Sequence, residues 1–91
     1  MPDDPGVGGT PGDYSDDQYV FYLEVADRDG LPAAALRDWF GAARFAGLVP
    51  LPHGFEIRMA TQEAPEIVRR LARDNIAVYQ LARLGRVAPE A

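Results

Sequence analysis

The sequence predicts an α+β fold in which two helices cover one face of a four-stranded antiparallel sheet. Three observations support this prediction. The chain has 91 residues, which is the length of one small domain. Its hydrophobic residues follow strand-like and helix-like periods in the order strand, helix, strand, strand, helix, strand. Hydrophobic residues make up 47% of the chain and charged residues 25%, as in ordinary globular proteins.

The composition of residues 1–18 predicts a disordered acidic tail ahead of the domain. Pro and Gly fill seven of the first twelve positions, and five Asp with no basic residue account for a net charge of −5. Only Val7 and Tyr14 can add to a core, so burial does not offset the ordering entropy. We therefore expect the domain at 19–83 and, because of Gly85 and Pro89, a flexible C-terminus at 84–91.

The first strand and the first helix are predicted from two different periods of hydrophobic residues. Residues 19–26 are β-branched and aromatic, and their alternation places Val20, Tyr22 and Glu24 on the face away from the core. A turn at 27–30 leads into a helix over 31–45, with Pro32 in its first turn. The apolar stripe predicted to face the sheet consists of Leu36, Trp39, Phe40 and Ala43.

The second half of the chain repeats the pattern. Residues 48–51 predict an edge strand, because Pro50 cannot donate to a ladder. Residues 55–60 alternate with Glu56 and Arg58 outward, and residues 64–74 predict the second helix. The last strand, 76–83, is apolar on both faces, so two registers stay open. In one, the side chains that face the core are Ile76, Val78 and Gln80. In the other, they are Ala77, Tyr79 and Leu81.

This element order is that of the ferredoxin-like βαββαβ sandwich, with the first and third strands central. The helices would leave one sheet face open. Since a strand that is apolar on both faces is typical of a covered sheet, we expect a partner chain or the tail to lie against it. The predicted interaction face comprises Val20, Tyr22, Glu24, Glu56, Arg58 and Tyr79.

The composition argues against several classes of function. Without Cys there is no disulfide or thiolate metal site, and the single Ser, Ser15, lies in the tail far along the chain from the single His, His53. We expect no catalytic set, no metal and no cofactor. Residues 19–91 are formally neutral, which argues against nucleic-acid binding. The absence of a long apolar run or signal sequence predicts a cytoplasmic chain that does not insert into a membrane.

One stretch resembles a known accessory module. Residues 55–83, above all Glu66-Ile67-Val68-Arg69-Arg70-Leu71 and Asn75-Ile76-Ala77-Val78-Tyr79, resemble the C-terminal accessory domain of ATP-binding subunits of drug- and bacteriocin-type ABC exporters. That resemblance implies a non-catalytic module for contacts or regulation. The chain departs from that family where Leu84-Gly85-Arg86-Val87 replaces a Ser-Leu-Glu-Asp-x-Phe-like stretch, and it has no Walker motif.

A second stretch is similar to ACT-type regulatory domains. Asp27-Arg28-Asp29-Gly30-Leu31, directly after the first strand, looks like the first turn of those domains. The resemblance implies a small ligand beside Asp27 and Gly30.

Three hypotheses of function follow. The first is a non-catalytic interaction or regulatory module that acts through its open sheet face or first helix, as a homodimer or as a subunit of a larger complex. The second is an ACT-like sensor of a small molecule such as an amino acid, bound near Asp27 and Gly30. The third is a small enzyme that uses the carboxylates of Glu24 and Glu56.

Overall fold

The computed structural model describes residues 8–26 and 29–87 and confirms the predicted ferredoxin-like fold. One sheet has the order β2-β3-β1-β4 with antiparallel neighbours, so β1 and β3 are central. The elements are β1 (Gln18–Val25), α1 (Leu31–Ala46), β2 (Val49–Leu51), β3 (Gly54–Ala60), α2 (Glu63–Arg73) and β4 (Val78–Arg86).

The core lies between one sheet face and the two helices. Alternate residues of β1 are buried, as their period predicts. The β1–β3 register places Phe21 opposite Ile57 and Tyr19 opposite Met59, so buried side chains share one face. The helices bury their own residues there, and the fully enclosed side chains are Leu23, Leu36, Ile57, Met59, Ile67 and Leu71.

Helix α1 is broken at Gly41, which corrects the prediction of one continuous helix. Gly41 has φ 82° and ψ 161°, a backbone conformation that essentially only glycine adopts. Leu36 and Phe40, before the break, are buried as predicted, whereas Ala43, after it, is exposed. The break redirects the last turn, and Phe45 packs against Phe55 with ring centroids 6.5 Å apart.

Strand β4 extends beyond its predicted end and changes register twice. It reaches Arg86 instead of residue 83, so the start of the predicted flexible C-terminus belongs to the sheet. Val78 and Leu81 both pack against the core although they are three positions apart, which neither predicted alternation allows. The register shift opposite Glu24/Val25 explains this spacing, and the second shift lies further along, opposite Val20/Phe21. Residues 88–91 lie outside the described residues.

The described part of the predicted tail has defined structure. Residues 8–17 form turns, and Asp13 is only 5% exposed. Gln62 Nε2 donates to the carbonyl oxygens of Pro11 at 2.8 Å and Asp13 at 3.0 Å, and Arg86 pairs with Asp17 at 2.9 Å. These hydrogen bonds attach a segment that its composition predicts to be disordered. Residues 1–7 lie outside the described residues.

Candidate functional site

The structure brings five residues of the predicted interaction face together. In the β1–β3 register, Val20 lies opposite Arg58 and Tyr22 lies opposite Glu56. Glu24 follows on β1, one row beyond Tyr22. Because cross-strand partners project to the same side of a sheet, these side chains lie opposite the helix-covered face. Arg58 is exposed and the other four are half-buried. We call this surface the open face.

The open face carries both signs of charge. Tyr22 Oη donates a hydrogen bond to Glu24 Oε2 at 3.2 Å. The pKa of the Tyr22 phenol is raised, first by its partial burial and then by the hydrogen bond and charge of Glu24. Within the described residues, neither Glu56 nor Arg58 forms an ion pair. The centre of the face therefore holds one acidic and one basic side chain whose charges are unpaired within the described part of the chain.

The two edge strands extend the face with apolar side chains. Ala82 lies opposite Tyr22 on β4, and Val49 lies opposite Glu56 on β2. Tyr79, which the sequence placed on the interaction face, is an extra residue at a register shift and is 69% exposed. Leu84 occupies the same kind of position at the other shift and is 61% exposed. Sequence reasoning missed Leu84, because nothing in the local pattern marks the shift that exposes it.

Both edges of the sheet are poorly suited to pairing with another strand. Strand β2 has three residues and contains Pro50, and β4 is interrupted by its two register shifts. Short edges, Pro and bulges are common devices against edge-to-edge association. The open face is therefore a better candidate for contact with another protein than either edge.

Helix α1, the other predicted interaction surface, contacts α2 through its side chains. Trp39 Nε1 donates to Glu63 Oε2 at 3.1 Å, and Arg44 donates to both Glu63 oxygens at 2.9 and 3.1 Å. The Arg44 guanidinium also lies 4.5 Å from the centre of the Phe40 ring. The large side chains of this part of α1 therefore already have partners in the chain.

A cavity lies beside the start of α1, which follows the turn that is similar to ACT-type domains. Gly30 precedes α1 with φ 73°, and a Cβ atom there would meet nothing within 4 Å. Asp27 lies outside the described residues. The cavity, about 340 Å³, is lined by Pro32 of α1, by Phe55 of β3 and by His53 of the turn between β2 and β3. We call it the His53 cavity.

The structure does not bring the residues for nucleophilic catalysis together. His53 lies directly before the start of β3. Ser15 lies near the other end of this strand: its hydroxyl donates to Asp13, and the Asp13 carbonyl accepts a hydrogen bond from Gln62, which follows β3. A seven-residue strand separates those ends by about 20 Å. Glu24 and Glu56 lie on the open face, and neither lines the His53 cavity.

Metal clusters and membrane-spanning helices are both absent from the described residues. Across residues 8–26 and 29–87, no three His, Cys, Asp or Glu side chains form a cluster that could hold a metal ion. In the same part of the chain, no helix has the length and apolar character that would let it cross a membrane.

Comparison with known proteins returned no relative: no family model, curated protein or solved structure matches this chain. The function of the chain is therefore inferred from the geometry of the open face.

Proposed function

We propose that the chain is a non-catalytic association module whose open face packs against the same face of a second copy. The observation that carries this proposal is the combination of half-buried Val20 and Tyr22 with Glu56 and Arg58, which form no ion pair within the described residues. An apolar centre that also holds unpaired charges of both signs is suited to self-complementary contact.

The charge arrangement favours one orientation of the two copies. Arg58 and Glu56 are two residues apart on β3, in the rows of Val20 and Tyr22. A two-fold axis that runs across the strands, between these two rows, brings Arg58 of each copy over Glu56 of the other. The same operation brings Val20 over Tyr22. An axis parallel to the strands through the centre of the sheet, between β3 and β1, would instead place Arg58 over Val20 and Glu56 over Tyr22, so neither charge would face its opposite.

The size of the face indicates a weak dimer. Strands of eight, three, seven and nine residues, at about 3.3 Å per residue and about 4.8 Å apart, give a planar area of about 430 Å² for each copy. The pair would bury about 860 Å², which is in the range of weak, transient complexes and below that of stable ones. We therefore expect an equilibrium between monomer and dimer at micromolar concentration.

The test is the solution mass over a concentration series, by light scattering and sedimentation. Arg58→Glu should weaken association at least tenfold, because it puts like charges face to face. The matched control is Arg37→Glu, an equal change of charge at an exposed position of α1, and it should leave association unchanged within about twofold.

The reverse charge swap provides the stricter criterion. Combining Arg58→Glu with Glu56→Arg exchanges the two signs within each copy and should restore most of the association. A chain that is monomeric at every concentration would overturn the proposal. Equal responses of the Arg58 and Arg37 variants, or a double variant no better than Arg58→Glu, would overturn it as well.

A second candidate function is ACT-like sensing of a small molecule. The observation in its favour is the His53 cavity of about 340 Å³ beside the start of α1. Its test is a thermal-shift screen of the amino acids with the full chain. A ligand at 100 times its Kd should add about 2.7 kcal/mol to the free energy of unfolding. A screen without any shift would contradict amino-acid sensing.

A further inference from the structure

A second cavity lies on the helix-covered side of the sheet, where the N-terminal segment meets α2. Its volume is about 450 Å³, within the range of small-molecule sites. Most of its walls are apolar: Phe21 and Leu81 come from the sheet, Ala64 and Pro65 from α2, and Pro11 from the N-terminal segment. We call it the Arg83 cavity, after the one charged side chain in its lining.

Two polar groups of this cavity lack partners among the described residues. The Thr61 hydroxyl is buried and has no hydrogen-bond partner in that part of the chain. The Arg83 guanidinium forms no ion pair with any residue of 8–26 or 29–87. A buried hydroxyl without a partner is costly, and Arg83, which is exposed at the mouth of the cavity, presents a planar fork of N–H donors that matches a carboxylate.

Two neighbours lie against the guanidinium of Arg83. Its guanidinium lies 5.5 Å from the centre of the Tyr19 ring. On another side it contacts the backbone of Gly9, where a Cβ atom would come within 2.2 Å of Nη1. Stacking on an aromatic ring uses the face of a guanidinium, so the in-plane N–H donors stay available to a ligand.

Asp13, an acid of the N-terminal segment, is already satisfied by other donors. Asp13 Oδ2 accepts a hydrogen bond from the Gly9 amide at 2.8 Å, and Oδ1 accepts from the Ser15 amide at 2.9 Å and hydroxyl at 2.6 Å. These donors lower the pKa of Asp13 to about 2, first through Gly9 and then through Ser15. Asp13 therefore stays ionised near neutral pH without Arg83 as its counter-charge.

We propose that the Arg83 cavity binds a small organic monocarboxylate with an apolar body. The ligand's carboxylate accepts N–H donors from Arg83 and the hydroxyl proton of Thr61, and its hydrocarbon part lies against Phe21 and Leu81. This site is separate from the open face, since the sheet lies between them. It therefore goes beyond the proposed association and does not depend on it.

The first experiment is an NMR titration of the full chain with the sodium salts of acetate, butanoate, hexanoate and octanoate. Affinity should rise about fourfold for each buried CH₂ until the cavity is filled. The amide signals that shift should cluster at Phe21, Thr61 and Leu81. Hexanol has the same body without the charge, and it should bind at least about tenfold more weakly than hexanoate.

Substitutions then assign the charge recognition to Arg83. Arg83→Met should weaken hexanoate binding at least about tenfold and leave hexanol binding nearly unchanged. Arg86→Met removes an arginine three positions along the strand that pairs with Asp17 instead, and it should bind hexanoate like the unaltered chain. Thr61→Val keeps the shape of the side chain without its hydroxyl and should weaken hexanoate binding by a smaller factor.

Three results would overturn the proposal. The first is the absence of saturable shifts with every carboxylate at millimolar concentration in the unaltered chain, which requires no variant to fold. The second is equal hexanoate affinity of the Arg83→Met variant and the unaltered chain. The third is a set of shifts centred on the His53 cavity. None of these results bears on the Arg58 and Arg37 comparison, so failure of this site and failure of the association are distinguishable.

Discussion

Replacing Gly54 with alanine should force the two central strands of the sheet apart. Gly54 lies opposite Glu24 in the β1–β3 pair. A Cβ atom on Gly54 would lie 1.7 Å from the carbonyl oxygen of Leu23 and 2.8 Å from its carbonyl carbon. Those atoms belong to the backbone of β1, so no side-chain rotation relieves the overlap.

The size of the effect follows from the separation that the two strands would need. Ordinary van der Waals contact begins near 3.4 Å, so β1 and β3 would have to separate by about 1.7 Å at this point. The hydrogen bond from Val25 N to His53 O, now 3.0 Å, and the ladder beside it would not survive that displacement. Losing about two backbone hydrogen bonds next to the core costs roughly 2–4 kcal/mol, or about 10–30 °C in Tm.

Unfolding by heat and by urea, followed by circular dichroism and by the fluorescence of Trp39, the single tryptophan, would measure this loss. The matched control is Gly85→Ala, since a Cβ atom there meets nothing within 4 Å and its φ is not positive. The control should change the free energy of unfolding by less than about 0.5 kcal/mol. A Gly54→Ala protein as stable as this control would refute the close-approach argument and the β1–β3 register behind it.

Three further predictions concern α1, the N-terminal segment and the α1–α2 contact. Gly41→Ala should lower the free energy of unfolding by about 1–3 kcal/mol, measured by thermal unfolding. The cause is backbone strain alone, because φ is +82° at this position and the new Cβ atom would meet no described atom within 4 Å. Unchanged stability would contradict the break in α1 at Gly41. The lowered pKa of Asp13, about 2, stabilises the fold above pH 4 and this contribution disappears as the pH falls toward 2. Melting curves over that range should therefore show a smaller pH dependence for Asp13→Asn than for the unaltered chain, and identical slopes would be inconsistent with the Asp13 hydrogen bonds. Glu63→Ala should cost about 1–2 kcal/mol and shift the emission of Trp39, which loses its acceptor together with Arg44; an unshifted spectrum would count against this contact.

The open face was predictable from sequence to the extent that it depends on short-range alternation. In β1, apolar residues recur at every second position, and that period alone places Val20, Tyr22 and Glu24 away from the core. The same holds for Glu56 and Arg58 on β3. Once the two strands pair in the predicted order, their outward residues share a face. No further information was needed for this part of the site.

The remaining features depend on contacts that a local pattern does not contain. The apolar stripe of α1 continues through Gly41 at helical spacing, although the backbone leaves the helix there. The register of β4 is set by its pairing with β1, so the sequence left the direction of the Tyr79 side chain open and gave no sign that Leu84 is exposed. In the sequence, nothing distinguishes Arg83 from an outward arginine of an edge strand. Its contacts with Tyr19 and Gly9 are visible only in the structure.

For the segment ahead of β1, the sequence predicted too little structure. Its composition predicts disorder because it has almost nothing apolar to bury. Its described part is held by polar contacts instead: Asp13 receives hydrogen bonds from Gly9 and Ser15, and Gln62, 49 residues further along, binds the Asp13 carbonyl. A single buried carboxylate can thus order a short segment that hydrophobicity alone would leave unstructured.

The central claim is that the open face of one copy packs on the open face of another. The most direct measurement is an isotope-filtered NOE experiment on an equal mixture of labelled and unlabelled chains, which detects only contacts between copies. The two-fold arrangement predicts NOEs between the Val20 methyl groups of one copy and the Tyr22 ring of the other. Intermolecular NOEs from α1, or none at concentrations where the solution mass is that of a dimer, would contradict it. A mass that stays monomeric throughout would contradict it equally.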